Sequence, residues 1–433
     1  MEPPLQEGIY YDRTRRAGDS LSITFLKISD GSTANEVSAA LSELWLMYRN
    51  LRDGKVSDSN EDEKQSQSGN LTMLIGYGPD IFSLNDIRTI PADFDRYKRF
   101  NHPSPSGGGY ILDGSRVKYS SDIRANPIAS DHVMLQFIGD NEFVTRRAVV
   151  ELWKLLSTLR NSRNEYTMFI SGIYTGFQRN DNRSWLGFHD GISNLATKDR
   201  LDAIAIKVNQ LKPEDMWIAK GTYLGFMRIE INFDEWEKID REAQEFIIGR
   251  DKTTGCPIID IDKYERPIKD GHCPIMGNTI IQKGNETIRG AYPVLRQQYL
   301  SQRNSVPNKL QYSHVARAKV LTHTKDGSAP QYRIFRQGFD YFEPVNYFPG
   351  FRIGLNFVSF QNTPSTLFTI LKEGFSRDNI ETNFKPLEDY FFVRAAGVFL
   401  IPPVSNDELF PGDILFRDRS KPQHYRLTGN RSY

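Results

Sequence analysis

The amino-acid sequence predicts an α+β protein built from two similar halves, each an antiparallel βαββαβ sheet with helices on one face. Three observations support this fold class. The chain has 433 residues, which is too long for one small core and fits two domains. Strand-like segments followed by amphipathic helices occur four times, twice in each half, and further strand-like segments lie between them. We expect one domain over residues 1–185 and a second over residues 186–433.

The first half begins with a strand over residues 21–28, where apolar and polar residues alternate. Thr33 and Glu36 then form a capping-box pattern, which predicts the start of a helix. The polar residues 52–70 predict a solvated loop before a strand at residues 71–77. The apolar positions that recur at helical spacing after the cap are Val37, Ala40, Leu41, Leu44, Trp45 and Tyr48.

The other three strand and helix units follow the same pattern. Residues 132–138, 223–231 and 355–360 read as strands. The helix after the first contains apolar positions from Val144 to Leu159, and the helix after the second contains Trp236, Ile239, Ala243, Phe246 and Ile247. Thr363 and Pro364 suit the N-cap and first turn of the last helix. Residues 166–174 read as a further strand, residues 101–109 as a loop, and residues 249–313 as a long insertion.

Composition excludes several classes of function. A net charge of +1 gives no electrostatic reason to expect a nucleic acid or an acidic membrane as a partner. The first residues lack the pattern of a secretory signal, and no apolar run approaches the length of a membrane span, so a cytoplasmic protein is expected. Cys256 and Cys273 are the only cysteines and form no metal-binding or redox motif.

Three stretches carry candidate functional residues. Residues 187–194 read Gly-Phe-His-Asp-Gly-Ile-Ser-Asn and place Asp190 in a turn punctuated by glycines. His314 opens a segment of small and β-branched residues with room for a flat ligand, and Arg336 lies in Tyr-Arg-Ile-Phe-Arg-Gln-Gly. Each feature alone has an ordinary structural reading: Asp-Gly pairs elsewhere are turns, and a single histidine is more often a satisfied polar group than a metal ligand.

Taken in order, these stretches resemble the dye-decolourising (DyP-type) haem peroxidases, in particular the larger subclass without secretion signals. The resemblance extends to Leu5–Ile9, Gly221–Arg228 and Gly354–Gln361. It implies two ferredoxin-like domains and one b-type haem (heme b) per chain in a cavity of the second domain. It also implies that His314 is the proximal iron ligand, Asp190 the distal acid-base residue and Arg336 the distal cation.

The resemblance further implies which residues surround the haem. They are the motif residues Gly187, Phe188, His189 and Gly191, the strand residues Leu355 and Phe357, which also suit an ordinary core, and a carboxylate that accepts a hydrogen bond from His314. Asp389 or Glu388 is the candidate for that carboxylate. His189 is interpreted as a local hydrogen-bond partner. Gly338 stands where some subclasses carry an asparagine, so catalysis depends on Asp190 and Arg336.

The implied function is a peroxidase that reduces hydrogen peroxide and oxidises an organic donor, such as a dye or a phenol, by one-electron steps through a ferryl intermediate. Its partners are then peroxide and a small-molecule donor, and a homo-oligomer is possible. The alternatives are a haem-binding or storage protein of the same fold without turnover, and a haem-free α+β protein. Because aspartate has an unperturbed pKa of about 4, peroxidase turnover should be favoured at acidic pH.

Overall fold

The structure is a computed structural model. It describes residues 5–11, 18–55, 68–96, 109–113, 116–120, 126–127, 131–179, 181, 183–189, 194–253, 255, 312–320, 332–346, 350–371, 375, 385–405 and 407–417. Residues 101–108 of the predicted loop 101–109, most of the predicted insertion at residues 249–313, and Asp190 and Gly191 of the motif lie outside these ranges; Gly109 begins a strand.

Twelve strands and eight α-helices are assigned within these ranges. The strands are β1 (Ser20–Ile28), β2 (Thr72–Tyr77), β3 (Gly109–Asp113), β4 (Arg116–Ser120), β5 (Asn126–Pro127), β6 (Val133–Gly139), β7 (Met168–Phe177), β8 (Thr222–Ile231), β9 (Phe335–Arg336), β10 (Phe339–Pro344), β11 (Phe351–Gln361) and β12 (Phe391–Ile401). The helices are α1 (Ala34–Arg52), α2 (Ala92–Arg96), α3 (Glu142–Thr158), α4 (Thr197–Ile204), α5 (Phe233–Glu237), α6 (Arg241–Ile248), α7 (His314–Val320) and α8 (Pro364–Thr369). Short 3₁₀ helices occupy Pro79–Ser83, Val208–Gln210, Pro213–Ile218, Leu387–Tyr390 and Asp413–Phe416.

Each half forms a four-stranded antiparallel sheet with the same strand order. In the first half the order is β7-β1-β6-β2, and in the second it is β12-β8-β11-β10. In both sheets the first strand of the half lies between the fourth and the third, which is the ferredoxin-like arrangement. The predicted α+β fold with two βαββαβ sheets is therefore confirmed.

The two sheets join into one closed ring of eight strands. Tyr77 of β2 pairs with Leu400 of β12, and Phe177 of β7 pairs with Asp340 of β10. Aromatic side chains fill the interior of the ring: the ring centroids of Phe25 and Phe226 lie 5.4 Å apart. No local pattern in the sequence predicts this closure, because each junction consists, among the described residues, of a single residue pair between distant parts of the chain.

The helices start and end where local capping signals place them. Thr33 and Glu36 form the predicted capping box at the start of α1. Thr363 accepts from the backbone N–H of Ser365 and Pro364 is the first residue of α8, as predicted. The predicted helix around residues 236–247 is instead two helices, because Asn232 caps α5 and Asp240 caps α6 with their side chains.

The helices α1 and α3 pack on the outer face of the first sheet and bury one large apolar cluster. None of the helices in the described part of the chain is long and apolar enough to cross a membrane.

Candidate active site

A cavity of about 610 Å³ lies on the outer face of the second sheet. Strand alternation determines its floor: Met227, Ile229 and Ile231 of β8 line the cavity, while Phe226, which precedes Met227, belongs to the cluster inside the ring. Leu355 and Phe357 of β11 line it in the same way. This volume falls within the range of ligand pockets, about 300–1,000 Å³. The structure thus brings both predicted strand residues to one apolar cavity.

His314 is the first residue of α7 and lines this cavity. Its ring stacks on Phe375, with ring centroids 5.1 Å apart and planes inclined by 23°. Its Nδ1 atom is buried and has no hydrogen-bond partner among the residues that the structure describes. Burial, followed by the positive charges of Arg336, Arg317 and Arg250, lowers the pKa of His314 to about 3. The imidazole is therefore neutral near pH 7, which is the form that ligates a metal ion.

Arg336 lies on β9 at the end of the sheet and also lines the cavity. Its guanidinium makes no hydrogen bond or ion pair with any residue in the described ranges, whereas its backbone is bonded to the side chain of Asn194. A cation that is not neutralised by the described protein is available to an anionic group in the cavity.

A buried ion pair lies beside the candidate iron ligand. Arg317, one turn after His314 on α7, donates from Nη1 to Oε2 of Glu388 at 2.7 Å. The two side chains are 8% and 5% exposed, and Glu388 lines the cavity. Asp389, the neighbouring candidate, is not among the described residues that line it. Of the two carboxylates that the sequence left open, Glu388 is the one that the structure brings to the cavity.

The described part of the motif is held by backbone geometry and by one arginine. Gly187 has φ of +83°, and a Cβ there would lie 2.6 Å from Cε of Lys252, so glycine suits this position. Phe188 is buried and packs edge-on against Trp236. Arg183 binds the carbonyl of Gly187 and, through Nη2, the Nε2 atom of His189 at 2.9 Å.

Phe188 and His189 both line the cavity; Gly187 is not among its described lining residues. Because guanidinium only donates, Nε2 of His189 must accept from Arg183. Burial and the charge of Arg183 lower the pKa of His189, so this ring is neutral at pH 7. The contact agrees with the interpretation of His189 as a local hydrogen-bond partner.

Several residues that line the cavity were not nominated from the sequence, among them Arg250 and Asn194. Arg250 follows the glycine that ends α6, is buried and lines the cavity. Burial and then the charge of Arg336 lower the pKa of Arg250 to about 10. Asn194 was quoted only as the last letter of the motif, although it also lines the cavity. No periodicity or motif distinguishes Arg250 in the sequence. Asn194 could have been found, because it lies in the motif, four residues after Asp190.

Comparison with known proteins identifies the family. The family model described as Dyp-type peroxidase, C-terminal, matches residues 181–406, which is just over half of the chain. The chain belongs to the Dyp-type peroxidase family. This matched region contains His314, Arg336 and all the described residues that line the cavity.

Solved structures of Dyp-type peroxidases share the fold. Ferric DtpA from Streptomyces lividans is 20% identical, with a TM-score of 0.64 over 95% of both chains. The encapsulated DyP-type peroxidase from Mycobacterium smegmatis is 18% identical, with a TM-score of 0.59 over 97% of this chain and 99% of its own. The fold is therefore that of Dyp-type peroxidases along nearly the whole chain.

Among curated proteins, the relatives match only part of this chain and only part of their own length. Deferrochelatase from Escherichia coli strain K12 is 21% identical over 303 residues, which cover 70% of this chain and 62% of the relative. Deferrochelatase from Shigella flexneri is 21% identical over 284 residues, or 65% of this chain and 59% of the relative. This Dyp-type peroxidase chain thus spans about 60% of the length of the curated relatives that it matches.

Proposed function

We propose that the protein is a haem peroxidase that reduces hydrogen peroxide and oxidises a small organic donor, such as a dye or a phenol, by one-electron steps. The observation that carries the proposal is that His314 and Arg336 face one apolar cavity of ligand size in a chain of this family. We further propose that one haem b binds in the second domain, and that this domain begins near residue 186.

The residues of the cavity suit a haem. His314 offers a neutral imidazole with a buried nitrogen that has no partner in the described protein. The strands β8 and β11 supply apolar floor residues, and Phe375 holds the imidazole plane from one side. When bound there, haem iron would supply the redox chemistry that protein side chains lack, namely electron transfer to peroxide and from the donor.

On the proximal side, we assign His314 as the iron ligand and Glu388 as the acceptor for its other ring nitrogen. A histidine ligand is made more electron-donating when a carboxylate accepts its second N–H. Glu388 lines the same cavity and is anchored by Arg317 of the same helix. The pairing with Arg317 gives this carboxylate a charged partner in an apolar surrounding.

On the distal side, Arg336 stabilises negative charge that develops on peroxide oxygen as the O–O bond breaks. Guanidinium keeps its charge even when it is partly buried, so it is suited to this task. We assign Asp190 to move a proton from the proximal to the leaving oxygen of peroxide. Asp190 itself lies outside the described residues, but the preceding Phe188 and His189 line the cavity.

A haem-storage protein without turnover is the less favoured reading, since the family is one of peroxidases and the side chain of Arg336 lines the cavity. The test mixes the haem-loaded ferric protein with hydrogen peroxide in a stopped-flow spectrometer. We expect a rapid change in the haem spectrum and consumption of a phenolic donor. A haem spectrum that does not respond to peroxide would refute the proposed function.

Two variants assign the roles. His314→Ala should abolish stable haem binding, whereas Arg336→Ala should keep haem and lower the rate with peroxide by roughly 10²-fold or more. Arg146→Ala serves as a matched control, because Arg146 is exposed on α3 in the first domain. An Arg336→Ala protein with the wild-type peroxide rate would remove Arg336 from the mechanism.

A further inference from the structure

Asn194 holds the backbone of Arg336 through two reciprocal hydrogen bonds. Its Oδ1 accepts from the N–H of Arg336 at 3.0 Å, and its Nδ2 donates to the carbonyl of Arg336 at 2.6 Å. A side-chain amide carries the same donor and acceptor as a peptide group. Asn194 therefore pairs with Arg336 as a neighbouring strand residue would.

This pairing occurs where the sheet itself provides little support. The strand β9 has two residues, and in the described part of the chain it is the last strand of the sheet, with β11 as its one neighbour. Gln337, next along the chain, bonds through its own N–H to the carbonyl of Val358 on β11. The N–H and the carbonyl of Arg336 are taken instead by Asn194. One strand thus fixes one side of this segment, and a single side chain fixes the other.

Asn194 is itself held firmly. Its Oδ1 also accepts from the N–H of Leu195, and the carbonyl of Leu195 accepts from Nε of Arg200 at 2.9 Å. The guanidinium of Arg200 lies over the ring of Phe335, 4.5 Å from its centroid, directly before Arg336. Both chain segments that meet at Asn194 are therefore bound to the same arginine.

The guanidinium of Arg336 has no comparable support. None of the described residues bonds to it, so its position in the cavity depends on the position of its backbone. Small displacements of a catalytic group cost rate steeply, up to roughly 10²-fold for about 1 Å.

We propose that Asn194 is a positioning residue that sets where the Arg336 guanidinium lies in the cavity. This inference rests on the proposed function, in which Arg336 faces bound peroxide. The amide of Asn194 directs its described hydrogen bonds to backbone atoms, so it acts through Arg336 and not on the substrate. Alanine should remove both bonds, and aspartate should keep the acceptor but lose the donor to the Arg336 carbonyl.

The first readout needs no haem. Hydrogen exchange at single-residue resolution in the haem-free protein should show the Arg336 amide exchanging at least roughly 10-fold faster in Asn194→Ala. The Gln337 amide should be unchanged, because its acceptor on Val358 is untouched. Asn194→Asp should leave the Arg336 amide protected, which provides a milder variant if the alanine protein does not fold.

The second readout is the affinity of the haem-loaded ferric protein for fluoride, followed by absorption. We expect Asn194→Ala to keep its haem content and to lose roughly 10-fold in fluoride affinity, and Asn194→Asp to lose less. Asn161→Ala is the control: Asn161 is also buried and also accepts from backbone N–H groups, but it lies in the turn before β7. It should change neither readout.

Two results would overturn the inference and leave the proposed function intact. An Arg336 amide with unchanged exchange in Asn194→Ala would show that the side chain does not hold this backbone. If Arg336→Ala lowers the fluoride affinity and Asn194→Ala leaves it unchanged, the Arg336 guanidinium does not depend on Asn194 for its position. If Arg336→Ala itself leaves fluoride affinity and the peroxide rate unchanged, the role of Arg336 in the proposed function fails, and the role of Asn194 fails with it.

Discussion

Replacing Glu388 by alanine should cost the protein several kcal/mol, because it leaves the buried guanidinium of Arg317 without this carboxylate. The Nη1 and Oε2 atoms lie 2.7 Å apart and the side chains are 8% and 5% exposed. At this distance the attraction is about 6 kcal/mol for an effective dielectric constant of about 20. Desolvation offsets part of this attraction, and removing one partner of a buried pair costs about 3–5 kcal/mol.

Urea denaturation of the haem-free protein measures this cost as the change in free energy of unfolding. Glu388→Ala should lose about 3–5 kcal/mol, whereas Arg317→Leu combined with Glu388→Leu should lose much less, because no buried charge remains from the pair. Arg146→Ala, which removes an exposed pair with Glu142 on α3, should change the free energy by less than about 1 kcal/mol.

Two results would refute the expected cost of Glu388→Ala. If Glu388→Ala costs no more than Arg146→Ala, the pair is screened by solvent, and the cavity is not the apolar environment that the geometry indicates. A double variant that is as unstable as Glu388→Ala would show that the two side chains act through packing and not through their charges.

Three further predictions address the fold and the chemistry. Gly354→Ala should lower the free energy of unfolding by about 1–3 kcal/mol or more, because the new Cβ would lie 1.9 Å from the carbonyl oxygen of Ile229. Gly172→Ala is the control and should be tolerated, since its new Cβ would lie 3.8 Å from the nearest neighbouring atom. Equal urea midpoints for the two variants would contradict this prediction. Burial raises the pKa of Asp131 in the folded protein, so the contribution of this residue to stability falls as the pH rises above its pKa in the unfolded chain, about 4. Asp131→Asn should therefore stabilise the protein at pH 8 but not at pH 4. A difference in free energy of unfolding between variant and wild type that does not change with pH would refute this. Peroxide turnover should be fastest at acidic pH and should fall roughly 10²-fold in Asp190→Asn, whereas a wild-type optimum near pH 8 would argue against Asp190 as the acid-base residue.

Local sequence patterns predicted most elements of the fold, because each depends on residues close together in the chain. The capping box at Thr33 and the N-cap at Thr363 are examples, since both bonds form within three residues. The closure of the two sheets into one ring could not be predicted from local sequence patterns. It depends on single pairs such as Tyr77 with Leu400, which no periodicity links.

The candidate site was predictable only in part for the same reason. His314 and Arg336 were nominated through the resemblance to the family, and both line one cavity in the structure. The choice between Glu388 and Asp389 depends on which way a 3₁₀ turn faces, which adjacent residues of the same type cannot reveal. Arg250 reaches the cavity only through packing of segments distant in sequence.

The segment Leu5–Ile9, which is part of the resemblance to the family, makes structural contacts with both sheets. The buried side chain of Gln6 donates from Nε2 to the carbonyls of Ile75 in the first sheet and Pro402 after the last strand of the second. Two residues later, the carbonyl of Gly8 accepts from Nε2 of Gln337 at 2.7 Å. Gln337 follows Arg336 directly, so this segment is bonded to both sheets and to the chain next to β9, the strand that carries Arg336. The segment therefore restrains the position of that strand, since the side chains of Gln6 and Gln337 bond backbone groups of Ile75, Pro402 and Gly8.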